Sequence, residues 1–178
     1  MRYHTLIKTA SAAMLAAALW LPASSTHAED KAALATRAFA RVEPMLRTMA
    51  TDAMASGMSM ENDPRFKDCP EAGRTMGKSL QDGVLPVIVE LFFSGDNRKR
   101  VEAAMADSYS VEQLRVIAAG GEPPAADAGS EKFGQAMAAL QGSFQQEVMQ
   151  DSRVTAELTK AVQAGVLASV ECKAKAQD

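Results

Sequence analysis

Apolar side chains recur at steps of three and four along most of this chain, the spacing that gathers them on one side of a helix turning 100° per residue. From Lys31 to about Ser56 the series Ala35, Phe39, Val42, Leu46, Met49 and Ala53 forms one stripe, with Arg37, Arg41, Glu43 and Arg47 opposite. The pattern predicts an amphipathic helix that Pro44 kinks or splits, because proline removes a backbone donor, and that stops at Gly57. Turn chemistry follows in Glu61-Asn62-Asp63-Pro64. Cys69-Pro70 opens a second helix, in which Met76, Leu80, Val84, Ile88 and Leu91 keep the helical step. Its second half, Val84 to Phe93, is almost wholly apolar and contains Pro86, which predicts a central helix with a proline bend.

The later half of the chain reads in the same way. Ser94 or Asp96 caps a third helix to about Ser108, with Val101, Ala104 and Met105 inward. Ser110 and Gln113 form the capping box of a fourth, whose face is Val111, Leu114 and Ile117 and whose end is Gly120-Gly121. Gly120 to Gly129, with Pro123-Pro124 inside, is the clearest loop. Ser130 caps a fifth helix with the stripe Phe133, Met137, Leu140, Phe144 and Val148. Asp151 or Ser152 starts the last, with Val154, Leu158, Val162, Val166 and Val170 inward and Lys173 and Lys175 at the negative end of its dipole. The predicted fold is all-α: a compact bundle of about six short amphipathic helices, residues 29–178, forming a single domain. A composition of 5% aromatic residues with 11 Met supports helices packed through aliphatic and thioether side chains.

The first residues change the picture. Arg2, His4 and Lys8 precede an uncharged, mostly apolar run of 13 residues, Thr9 to Leu21, followed by Pro22 and Thr26-His27-Ala28. This is the layout of a secretory signal peptide over residues 1–28, with cleavage expected after Ala28. A bilayer core takes about 20 apolar residues, so the run is too short for a transmembrane anchor. The expected location is the periplasm of a bacterial envelope.

Cleavage would remove both His residues and the only Trp, and without Arg2 and Lys8 leave 17 Lys plus Arg against 22 Asp plus Glu, a formal charge of −5. A mildly acidic body argues against nucleic-acid binding. A mature chain without imidazole has no Ser-His-Asp or Cys-His site and no His-dependent metal centre. No segment carries a signature strong enough to name a reaction, and no cofactor is expected. Cys69 and Cys172, 103 positions apart, are an even pair in an oxidising compartment and read as one disulfide.

At Tyr109-Ser110-Val111-Glu112-Gln113-Leu114-Arg115 an aromatic residue, a hydroxyl cap, an acid and a Leu follow a helix rich in Ala and Met. That order resembles the bacterial domain-of-unknown-function 2059 family, with Gly134 and the fifth helix taking the later part of its pattern over about Val84 to Gln150. This chain departs from that family at Ala118-Ala119-Gly120-Gly121, where members usually carry an aromatic pair with Ser-Pro. The resemblance implies an exported helical domain and no assigned activity.

Two clusters admit chemistry. Met54, Met58 and Met60 are soft thioethers that suit Cu(I), set against the plainer role of filling gaps in a core. Glu61, Asp63, Asp68 and Glu71 gather around a turn, as a cation site or a hydrolytic carboxylate pair would, set against a solvated loop. Arg98-Lys99-Arg100 reads as the wet face of the third helix. The leading expectation is a non-enzymatic module binding an envelope protein or peptide through an exposed apolar or Met-rich patch; a Met-based metal binder and a carboxylate-dependent hydrolase are the alternatives. The sequence leaves the oligomeric state open.

Overall fold

A computed structural model describes residues 30–122 and 127–175. The expected leader, its expected cleavage point and the two prolines of the long loop lie outside the described residues. The elements are α1 (Lys31–Gly57), a 3-10 turn (Pro64–Phe66), α2 (Pro70–Ser79), a π segment (Leu80–Val84), α3 (Leu85–Phe93), α4 (Gly95–Ser108), α5 (Val111–Ala118), α6 (Ala128–Gln150) and α7 (Ser152–Lys175). With α2, the π segment and α3 running on as one rod, these make six rods, and the fold is compact and all-α, as the periodicity predicts.

Pro44 does not split α1, which runs unbroken past it. The inward row therefore keeps its phase from Phe39 through Val42, Leu46, Ala50 and Met54, and Met49 and Ala53, expected inside, are exposed. Pro86 acts differently. It sits at the start of α3 immediately after the π segment, where the Leu85 N–H reaches back five residues to the Leu80 carbonyl, so the backbone widens around the missing donor instead of ending. α3 lies between two apolar clusters. Leu85, Val89 and Phe93 join Leu34, Phe39, Val101, Met105, Leu114 and Ile117 in the larger one, while Ile88 and Leu91 pack against Leu80, Val84, Val154 and Ala161 in the smaller.

Helix ends are satisfied by short local devices. Ser110 Oγ accepts from the Gln113 N–H at 3.2 Å and Gln113 Oε1 accepts from the Ser110 N–H at 2.7 Å, the predicted capping box. α5 stops where Gly120 turns to φ 87°, with Gly120 N–H donating to Ile117 O and Gly121 N–H to Val116 O, a Schellman end. The cap of α6 is Asp127, not Ser130 as the sequence suggests: Asp127 Oδ1 accepts from the Ser130 N–H at 2.8 Å, and Ser130 Oγ, in the third helical position, accepts from the Asp127 N–H at 2.9 Å. Asp151 Oδ1 accepts from the N–H groups of Arg153 and Val154 at the start of α7.

The α1–α4 seam is ionic and aromatic. Arg98 Nη1 lies 2.9 Å from Glu43, its Nε 2.8 Å from Glu102, and its guanidinium covers the Phe39 ring at 5.2 Å. Arg47 pairs with Glu43 at 2.8 Å and covers Phe93 at 4.7 Å. The sequence places Arg98 on a wet face; it is instead half-buried in this seam, where such ring contacts contribute about 0.5–1 kcal/mol at exposed sites and more when desolvated.

Candidate functional site

The geometry of α7 decides which surface this protein presents. Cys69 and Cys172 form a disulfide with Cα atoms 6.1 Å apart, tying the start of α2 to the end of α7. Cys172 is eleven positions from Ala161, so the two lie within about 20° on the helix, and Ala164, Gly165 and Ala168 occupy the same arc. That small-residue arc is what docks. Ala161 and Gly165 are buried, and an added Cβ on Gly165 would stand 2.9 Å from Met76 Cβ, so α7 rests almost backbone-on on α2.

Of the stripe expected inside α7, only Val154 is buried. Leu158, Val162, Val166 and Val170 are 42–60% exposed. The physical reason is that α7 carries two apolar arcs, and the disulfide together with the closer approach allowed by Ala and Gly selects the small one. Val170 lies nine positions from Ala161, half a turn away. The four exposed side chains step by four residues over about 18 Å of helix. Between Thr155 and Val170 the charged residues are Glu157 and Lys160, which pair with each other at 2.6 Å on the opposite flank of the docked arc, leaving the stripe without charge. The phase of Cys172 was the signal in the sequence that pointed to the docked face.

The other candidates are placed as follows. Met54 packs against the larger cluster, Met60 against the smaller, and Met58 against both. Their position comes from glycines: the chain after α1 lies along the Gly73 and Gly77 face of α2, where a Cβ on Gly73 would meet the Met60 carbonyl and one on Gly77 would stand 3.1 Å from Met60 N and 3.2 Å from Met58 O. Cys69, being bridged, offers no thiolate beside them. Thioethers held this way do the work of gap-filling side chains.

Three of the four acids around the turn, Glu61, Asp63 and Glu71, face arginines. Asp63 Oδ2 lies 2.6 Å from Arg65, whose side-chain and backbone hydrogen bonds hold the carboxyl down at about 2. Glu61 and Glu71 both pair with Arg74. Among the described residues no group of three or more His, Cys, Asp or Glu side chains is arranged to hold a metal ion. A polar knot around the buried Asn97 lies elsewhere: Asn97 donates to the Leu91 carbonyl at 3.3 Å and to Glu147 at 2.6 Å, and Arg100, on the surface, pairs with Glu147 at 2.6 Å. Asn97 and Arg100 hold the Glu147 carboxyl below its ordinary value. This knot joins α4 to α6 and leaves no open oxygen pair for catalysis.

No family model, curated protein or solved structure matches this chain. Among the described residues no helix is long and apolar enough to cross a membrane.

Proposed function

We propose that this protein is an exported, non-enzymatic helical module of the bacterial envelope, similar in kind to the domain-of-unknown-function 2059 family, that binds an apolar helical segment of a partner protein along α7. The observation that carries the reading is the uncharged stripe of Leu158, Val162, Val166 and Val170 left outside the bundle. Isolated exposed aliphatic residues are common, but four in register on one helix form a contiguous patch of the kind used for association. A step of four residues over about 18 Å complements the apolar stripe of one amphipathic helix, and the absence of charge selects a partner whose docking face is equally uncharged. Export is supported by the leader and agrees with the long-range disulfide.

The test is site-specific photocrosslinking in cells, with the crosslinker at position 166 and, as a control, at exposed Lys99 on α4. A discrete adduct from position 166 that is absent from position 99 and lost with Val162→Asp is the expected result. An adduct of twice the chain mass would assign the face to self-association instead, and no adduct from position 166 would overturn the reading. Periplasmic fractionation with amino-terminal sequencing beginning at Glu29 checks the export half.

A further inference from the structure

The methionines that do not pack form a separate feature, independent of the α7 face. Nine methionines follow the leader, and the structure sorts them by access. Met45 and Met49, one turn apart on the outer side of α1, and Met149, at the end of α6, are 54–72% exposed. Met105 is 3% exposed in the larger cluster. Met54, Met58, Met60, Met76 and Met137 lie between, half-buried and packed against the two apolar clusters, and Met60 Sδ is 4.0 Å from Arg65 Nη2.

We propose that Met45, Met49 and Met149 are surface oxidation sites that take oxygen from a peroxide before the packed methionines do. A thioether has no ionisation step, so access of the oxidant to the sulfur lone pair sets the order of reaction. In the step the sulfur attacks one peroxide oxygen, the S–O bond forms as the O–O bond breaks, sulfur is oxidised by two electrons, and the other oxygen leaves as water after taking a proton from the first. The product sulfoxide is polar. On the outside of α1 and α6 it points into water and costs the fold nothing, whereas at Met105 or between α2 and α7 it would be placed among apolar side chains. The three outer positions thus accept oxidant without unfolding, and the reaction is chemically reversible by sulfoxide reduction.

The experiment treats the purified, disulfide-bonded protein with hydrogen peroxide graded from less than one to several equivalents per chain, so that each sulfoxide formed depletes the oxidant, and maps oxygen uptake by peptide mass spectrometry, with helical circular dichroism read on the same samples. Met45, Met49 and Met149 should gain oxygen at least about tenfold faster than Met105, with no loss of helicity until they are consumed. In the variant Met45→Leu, Met49→Leu, Met149→Leu, which keeps volume and apolar character, the early uptake should vanish, and loss of helicity should begin at a lower peroxide dose. Oxidation of Met105 or Met58 at the same rate as the outer three would overturn the proposal. So would an unchanged dose for loss of helicity in the triple variant, since the outer sites would then protect nothing.

Discussion

Two glycines in helix interiors respond oppositely to the same added methyl group. Gly134, in α6, has nothing within 4 Å of where a Cβ would be, so Gly134→Ala changes only the backbone preference. Alanine is favoured over glycine inside a helix by about 0.8–1.0 kcal/mol, and that full amount should appear as stability. Gly165, in α7, carries the same preference, but its new Cβ would stand 2.9 Å from Met76 Cβ and 3.3 Å from both Met76 Cγ and Sδ. The nearest of these atoms is fixed to the α2 backbone, so relief requires the two helices to part. Overpacking of this sort costs about 1–3 kcal/mol, which cancels or exceeds the propensity gain, and Gly165→Ala should be neutral or destabilising. Urea unfolding of both variants with the disulfide intact measures the difference, accompanied by thermal melts in which 1 kcal/mol moves the midpoint by roughly 2–4 °C for a chain of this size. Equal stabilisation by the two substitutions would refute the close α2–α7 contact, and with it the argument that the small arc of α7 is the docked one.

Removing the bridge with Cys69→Ala plus Cys172→Ala frees a loop spanning 103 positions and should lower stability by up to about 4.7 kcal/mol in urea, with α7 amides exchanging first; a loss under about 1 kcal/mol contradicts the loop-entropy account. Gln113 closes the α5 box and also donates to Asp127 Oδ2 at 2.5 Å, so it clasps both ends of the long loop. Gln113→Ala should cost about 1 kcal/mol, the net contribution of a typical hydrogen bond. Gln113→Glu should cost more at pH 7, because it sets a carboxylate against Asp127, and the gap between the two variants should close as acid protonates the pair; melts at pH 7 and in acid decide it. Glu147 is held below its ordinary value of 4.5, so the stability it contributes is complete above that value and is lost as pH falls through its lowered one. Glu147→Gln should therefore flatten the acid limb of the stability curve, and an unchanged slope would remove Glu147 from the linkage.

Local rules made most of the elements legible. Gln113 at the third position after Ser110, Gly120-Gly121 after Ile117, and Pro70 in a first turn are instructions carried within four residues, and the structure follows them. Asp127 shows their limit. It lies three residues before Ser130, and either could cap α6; Asp127 takes the cap, and Gln113, fourteen positions away, also donates to it. Pro44 shows another, since a missing donor permits a break and packing of Phe39 and Leu46 on the same core holds the helix through it.

The exposed face of α7 is hidden from the sequence for a related reason. Periodicity identifies an apolar arc but not what lies opposite it, and α7 has two arcs. The sequence by itself determined that this chain folds into about six amphipathic helices and that its two cysteines are the pair available to bridge. Which side of α7 faces in, and so which aliphatic residues meet the solvent, was decided only in three dimensions: the glycine and alanine backbones of α7 and the Met76 side chain of α2 approach more closely than valines and leucines permit, and the bridge from Cys69 holds that approach in place.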